Sequence, residues 1–225
     1  ETFGTNENCD YRMINISEDE SGYVDFEMLY KNEKLCSVHT GVPGMFNAYN
    51  ALAALAAAHH LKADMKEAAK IIGEFKGAHR RFEKTGELCG AELFHDYGHN
   101  PKEMENAIHI ARKRCKRGRL WAVIQPHTFS RVKTMFDQYL LCAKEADKVL
   151  VTDIFAARES DPGDINSRML VDGMREKGID AYLTPTFEDT ADVLKAQLQE
   201  GDLVITLGCG NIYMLNEMLK PDDEN

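Results

Sequence analysis

The sequence predicts an α/β chain in two parts. Residues 83–225 form a mostly parallel sheet with helices on both faces, and residues 1–82 combine a small antiparallel meander with helices. Three observations lead there. Beyond residue 83, apolar runs at 91–96, 120–125, 148–153, 181–184 and 202–207 alternate with helix-like stretches at 101–113, 131–146, 167–177, 186–199 and 211–219. Strands and helices alternating at this interval make βαβ units, whose strands are buried on both faces. Residues 10–40 instead alternate polar and apolar in short bursts, and a length of 225 residues suits two domains of roughly 100–200 residues each.

In chain order, Tyr11–Ile16, Tyr23–Tyr30 and Leu35–Val38 read as meander strands, separated by the polar turns Glu18-Asp19-Glu20-Ser21-Gly22 and Lys31-Asn32-Glu33-Lys34. Two helices follow, at 45–61 and 65–74, the first rich in alanine. A basic loop, Lys76-Gly77-Ala78-His79-Arg80-Arg81-Phe82, then leads to the boundary near 82–85. The basic run from Arg112 to Arg119 closes a helix, where cations suit the dipole, and Gly118 is its expected C-cap. The acidic tail Asp222-Asp223-Glu224 is expected to be disordered.

Net charge is -10 with a pI near 5.3, which argues against non-specific nucleic-acid or anionic-membrane binding. Six scattered cysteines form no C-x-x-C pair, as free thiols in a reducing cytoplasm would. No window approaches the ~20 apolar residues of a membrane span. No Gly is followed by Lys, so a phosphate-cradling G-x-x-x-x-G-K loop is absent from this stretch.

Chemistry concentrates where the strands end. Phe94-His95-Asp96-Tyr97-Gly98-His99-Asn100-Pro101 runs from a strand through a tight turn into a helix that Asn100 caps and Pro101 opens. In open α/β sheets, ligands bind at this carboxyl edge. A carboxylate, a phenol and two imidazoles make the turn one wall of an active site, or else Asp96 is a helix cap and the histidines are solvated. The next strand ends in Gln125-Pro126-His127-Thr128-Phe129-Ser130-Arg131, where Arg131 can grip a carboxylate, or Ser130 is an N-cap and His127 fills the turn. Asp153-Ile154-Phe155-Ala156-Ala157-Arg158-Glu159 and a polar loop at 160–167 follow the third strand. Gly208-Cys209-Gly210-Asn211 follows the last, where two glycines allow either an anion approach or simply a tight turn. Four polar loops on one edge are what raise these segments above connecting turns.

These segments together resemble the Mur ligases. Gly44-Met45-Phe46-Asn47-Ala48-Tyr49-Asn50-Ala51-Leu52-Ala53-Ala54 is similar to their G-x-x-N-x-x-N-A-x-A-A helix start. Arg80-Arg81-Phe82-Glu83 resembles the arginine that ends their central domain, and Asp96-Tyr97-Gly98-His99-Asn100-Pro101 the motif opening their C-terminal domain. The segments 125–131 and 153–159 resemble the branch that joins L-alanine to UDP-N-acetylmuramate more than the branch that recycles murein tripeptide.

The resemblance implies that residues 1–82 are the end of an ATP-binding central domain and 83–225 a Rossmann-like amino-acid-binding domain. A UDP-sugar-binding domain and the phosphate loop would precede Glu1, leaving this stretch inactive alone. It further implies a cytoplasmic peptidoglycan-precursor ligase that uses ATP and Mg²⁺ to phosphorylate the lactyl carboxylate of UDP-N-acetylmuramate before the amine of L-alanine attacks. By matching position, Asn47 and Asn50 resemble the adenine side, Arg81 the phosphate contact, and Asp96, Tyr97 and His99 groups at the nucleotide and alanine. His127 and Arg131 resemble groups that hold the alanine, Arg131 its carboxylate. A neutral histidine near the amine would help it lose its proton. Of these, Arg81, Asp96 and His99 are the expected catalytic residues, and no metal ligand is expected in this stretch. His95, Asn100 and Thr128 depart from residues common in relatives. A sister ligase for another amino acid or peptide, and a binding module without activity, remain the alternatives.

Overall fold

The computed structural model describes residues 1–220, so the expected acidic tail lies outside them. The chain divides into two compact units, Glu1–Gly77 and Ala78–Asn225. The division falls ahead of the expected 82/83 because Arg80 and Phe82 are tied into the second unit. Arg80 Nε donates to His95 Nε2 (3.0 Å), and the Phe82 amide donates to the Asp96 carboxylate (2.9 Å).

The first unit holds β1 (Phe3–Gly4), β2 (Tyr11–Glu18), β3 (Val24–Tyr30), β4 (Glu33–His39), α1 (Met45–His60) and α2 (Met65–Glu74). The strands lie in the order β1-β2-β3-β4, antiparallel except for the short parallel β1–β2 pair. Alternation puts Tyr11 and Met13, Val24, Phe26 and Met28, and Cys36 and Val38 on one face, because successive side chains in a strand point to opposite sides. Ala48, Ala51, Leu52 and Leu55 of α1 pack on that face. The alanines let the helix sit close to the sheet. Asp64 caps α2, accepting from the Lys66 and Glu67 amides.

The second unit holds β5 (Glu83–Leu88), β6 (Ala91–Asp96), α3 (Pro101–Arg114), β7 (Leu120–Ile124), α4 (Phe129–Thr134), α5 (Phe136–Tyr139), β8 (Lys148–Val151), α6 (Ser167–Glu176), β9 (Ala181–Leu183), α7 (Phe187–Gln197), β10 (Leu203–Leu207) and α8 (Tyr213–Met218). Its six-stranded sheet runs β5-β6-β10-β7-β8-β9, parallel except for the antiparallel edge strand β5. Leu120, Ala122 and Ile124 face one layer, with Met104 and Ile108 of α3, Val132 of α4, Tyr139 of α5, and Leu170 and Met174 of α6. Trp121 and Val123 face the other, with Leu194 of α7 and Leu215 of α8. The expected parallel sheet with helices on both faces is what forms.

Five details differ from expectation, the first being the short strand β1 ahead of the meander. Strand β5 was not expected, and the single helix at 131–146 is instead α4, α5 and a run of turns. Gly118 is not the cap of α3, whose C-cap is Cys115. Instead it passes the opposite loop so closely that a Cβ there would lie 2.1 Å from the Gly201 carbonyl oxygen. Ser130 is not the N-cap of α4 either, since the helix starts at Phe129 with Thr128 before it. Away from the site, Asp202 closes the far edge by accepting from the Arg119 guanidinium and amide and from Trp121 Nε1.

Candidate functional site

The parallel strands β6, β10, β7 and β8 finish along one edge, and the loops leaving them interlock there. The Gly208 amide donates to Asp96 O (3.1 Å), Gln125 N to Leu207 O (2.9 Å), and Phe155 N to Pro126 O (2.9 Å). Gly98 permits the first turn, since a Cβ on it would stand 2.8 Å from Asp96 Oδ1. Asn100 caps α3 as expected, accepting from the Glu103 amide, with Pro101 in the first turn.

Five of the expected site residues form a continuous run. The guanidinium of Arg81 lies over the Tyr97 ring at 5.3 Å. Tyr97 meets His99 edge-on at 5.7 Å, His99 meets His127 edge-on at 6.0 Å, and His127 is joined to Arg131 Nη1 at 2.9 Å. Among the described residues, the Arg81 guanidinium has no hydrogen-bond or ion-pair partner, so its donors are open to an anion. Arg131 spends Nη1 on His127, through Nδ1 and the carbonyl, and its Nε and Nη2 find no partner among the described residues.

Hydrogen-bond direction fixes what each imidazole can do. Arginine only donates, so His127 Nδ1 accepts and its neutral ring carries the proton on Nε2. Burial first, then Arg131 and His99, lowers its pKa and holds it neutral. His127 and Arg131 are therefore adjacent donors, the chemistry that suits a carboxylate. His99 is the reverse case. Its Nδ1 lies 3.3 Å from the Tyr97 carbonyl oxygen, which only accepts, so Nδ1 donates and the neutral ring keeps a lone pair on Nε2. A group of this kind can take a proton.

Asp96 sits differently from its neighbours. Its carboxylate is buried and accepts from the Gly98 amide (2.7 Å) and the Phe82 amide (2.9 Å). Burial raises its pKa against the pull of those amides and Arg81. Both oxygens are thus engaged by the turn, and Asp96 acts on the site by shaping Tyr97-Gly98-His99. Asn47 and Asn50 belong to the first unit, at the start of α1. Asn47 Nδ2 donates to Pro43 O (2.7 Å), and Asn50 Nδ2 donates to Asn47 Oδ1 (3.3 Å).

Sequence reasoning missed Arg80. It donates to His95 Nε2 and to the carbonyls of Gly208 (3.4 Å) and Gly210 (3.1 Å), and its guanidinium stacks on Tyr97 and Tyr213. His95 Nδ1 in turn donates to Thr206 Oγ1 (2.9 Å). Burial, then Arg80, depresses the His95 pKa to about 4. Gln125, also unassigned, donates to Asn211 Oδ1 and lies against Gly210, where a Cβ would be 2.5 Å from its Oε1. No group of three or more His, Cys, Asp or Glu side chains that could hold a metal ion occurs among the described residues. Neither does a helix long and apolar enough to cross a membrane.

A family profile described as the Mur ligase, glutamate ligase domain matches residues 80–210, more than half of the chain. The chain belongs to the Mur ligase family. The Mur ligase middle domain profile matches residues 1–58. Among curated Mur ligases, a UDP-N-acetylmuramate–L-alanine ligase of Acetivibrio thermocellus is 38% identical over 224 residues, covering 99% of this chain and 48% of its own length. The enzyme of the same name from Caldanaerobacter subterraneus subsp. tengcongensis is 39% identical over 216 residues, 96% of this chain and 47% of its own. This Mur ligase chain thus spans about half the length of the curated relatives it matches.

Solved Mur ligases share the fold. UDP-N-acetylmuramate–alanine ligase of Thermotoga maritima superposes with a TM-score of 0.79 at 23% identity, covering 97% of this chain and 46% of that one. The MurF ligase of the same organism, solved with ADP, gives 0.67 at 18% identity, over 96% and 47%.

Proposed function

We propose that this chain supplies the amino-acid-binding part, and the end of the ATP-binding part, of a cytoplasmic ligase that joins L-alanine to UDP-N-acetylmuramate at the expense of ATP. The observation that carries this reading is the 38% identity, over 99% of the chain, to a UDP-N-acetylmuramate–L-alanine ligase. The site's chemistry supports it. A carboxylate is a poor electrophile, so the lactyl carboxylate first takes the γ-phosphoryl group of ATP and becomes an acyl phosphate. The amine of L-alanine then attacks the acyl carbon, the C–O bond to phosphate breaks, and the amine loses a proton.

Arg81, with its donors free, is the group to neutralise charge on the transferring phosphoryl. Its stacking on Tyr97 holds it at the rim. The donor edges of Arg131 and His127 hold the alanine carboxylate. His99 Nε2 is the acceptor for the amine's proton, and Asp96 keeps His99 and Tyr97 in place through the turn. Asn47 and Asn50 serve the adenine. The Mg²⁺ that such a phosphoryl transfer uses finds no ligand cluster among the described residues, and no step above is routed through it.

The test is phosphate release by the full-length protein with ATP, UDP-N-acetylmuramate and one amino acid or peptide at a time. Release that depends on L-alanine is expected, whereas release with a peptide and not with alanine overturns the reading. In the same assay Arg131→Ala should raise the apparent KM for alanine about 10- to 100-fold, the worth of roughly 1.5–3 kcal/mol in hydrogen bonds to a charged group. The KM for ATP should stay within about twofold. Equal effects on both would remove Arg131 from the alanine pocket.

A further inference from the structure

The turn carrying His127 and Arg131 does not hold itself. Thr128, at the N-cap of α4, makes no side-chain bond to a backbone amide of its own helix; its Oγ1 reaches only the Ser130 hydroxyl, at 3.3 Å. A carboxylate from another loop does that work. The Ser130 amide, in the first turn, donates to Glu159 Oε2 at 2.9 Å. Thr128 Oγ1 donates to Glu159 Oε1 at 2.5 Å, and Ser130 Oγ donates to the same oxygen. Beside this latch the two loops pair through Phe155 N and Pro126 O, with the Phe155 ring stacked on His127 at 5.7 Å and 18°.

We infer that Glu159 is a positioning residue: it caps α4 from outside and fixes the His127–Arg131 donor edge before the amino acid arrives. The inference rests on the proposed function for which ligand that edge receives, but not for the latch itself. Three donors converge on the carboxylate, and one of them, the Ser130 amide, cannot rotate away to find another acceptor. An orphaned first-turn amide would otherwise face the site. An anion here also suits the helix dipole. Consistent with this, the hydroxyls of Ser130 and Thr128 and then the Ser130 amide hold the Glu159 carboxyl near 2, so it stays ionised at any assay pH near neutrality. Thr128 gains a reason to be present, because a hydroxyl at that position completes the latch.

Because its oxygens are already occupied, Glu159 acts through the turn and does not touch the amino acid. A Gln in its place keeps the shape but loses the charge, and leaves one oxygen acceptor where two carboxylate oxygens served three donors, its NH₂ being met only by hydroxyls that turn round to accept. Loss of such a cap is expected to show as an effect of about 5- to 30-fold. In the full-length protein, Glu159→Gln is therefore expected to raise the KM for L-alanine by that factor. At saturating alanine kcat should hold within about twofold, and the KM for ATP should not move. Hydrogen exchange at the Ser130 amide should accelerate in the same variant. The double change Thr128→Val with Ser130→Ala, which keeps Glu159 and removes two of its donors, should move the alanine KM in the same direction by less.

Unchanged Ser130 exchange overturns the latch, whatever the enzyme's substrate. So does an unchanged alanine KM in an enzyme whose parent form uses alanine, and so does a loss of kcat that saturating alanine does not restore, which would put Glu159 in contact with the reacting groups. If the parent form ignores alanine, the functional reading fails while the exchange measurement still decides the latch. If Glu159→Gln does not fold, the double variant carries the KM measurement, and an unchanged alanine KM in it then overturns the latch, while exchange at the amide of residue 130, which keeps its bond to Glu159, should stay slow.

Discussion

His95 shows how a single residue can be set by its neighbours. Arg80 Nε donates to its Nε2, so Nδ1 carries the proton and donates to Thr206 Oγ1, which passes a hydrogen bond to Phe94 O. A second proton would have to enter a buried site facing a guanidinium, with the Thr206 hydrogen bond and then Glu83 favouring it and His79 opposing. In the folded chain His95 therefore titrates near 4, against 6.5 for an unhindered imidazole. Because the folded pKa is the lower one, the unfolded state binds the extra proton first as pH falls. Stability is unaffected above 6.5 and is lost progressively between 6.5 and 4. From pH 7 to pH 5 that loss is about 2 kcal/mol from this residue alone, at about 1.4 kcal/mol per unit. Urea unfolding at the two pH values should show it as a difference between the parent chain and His95→Asn. A variant that loses as much stability as the parent between pH 7 and 5 would mean that His95 is not the group responsible.

At the scale of elements, the βαβ rhythm was legible because the innermost strands are near-continuous apolar runs. Leu120–Ile124 and Leu203–Leu207 are buried at every position, which no surface helix would be. Strand β5 was not legible, because Glu83-Lys84-Thr85-Gly86-Glu87-Leu88 shows no apolar alternation and its pairing with β6 supplies what its own sequence lacks. The break between α4 and α5 was hidden for a different reason. Val132, Tyr139, Leu140 and Ala143 stay on the buried face whether the chain runs as one helix or as two short ones with turns. Motif residues at the strand ends were readable as a group, but Arg80 and Glu159 were not, since their partners lie 128, 130 and 31 positions away. The turn between β6 and α3 carries its own prediction. Gly98→Ala would push a methyl to 2.8 Å from Asp96 Oδ1 and 3.2 Å from Glu103 Cβ, disturbing the carboxylate that holds the Phe82 and Gly98 amides. Thermal unfolding should show a loss of about 1–3 kcal/mol, the usual cost of overpacking. A neutral result would mean that the turn shifts freely.

For the whole molecule, the arrangement of cores has the largest consequence. Every residue of the cluster around Met13, Phe26, Leu52 and Leu55 lies in Glu1–Gly77, and every residue of the two clusters flanking the parallel sheet lies beyond it. Each unit thus closes its own apolar interior and has what it needs to melt on its own. Leu52 and Ile205 are both completely buried, one in each interior. Truncating either to alanine removes about 2–5 kcal/mol, through lost transfer free energy and the cavity left behind. In a unit the size of the first, each kcal/mol moves the midpoint by about 4–8 °C, and in one the size of the second by about 2–4 °C. Calorimetry of the chain should therefore show two transitions. Leu52→Ala should lower one of them by on the order of 10 °C or more, and Ile205→Ala the other by a smaller amount. Should either change displace both transitions together, the two interiors melt as a single cooperative block and the independence read from their separate clusters is wrong.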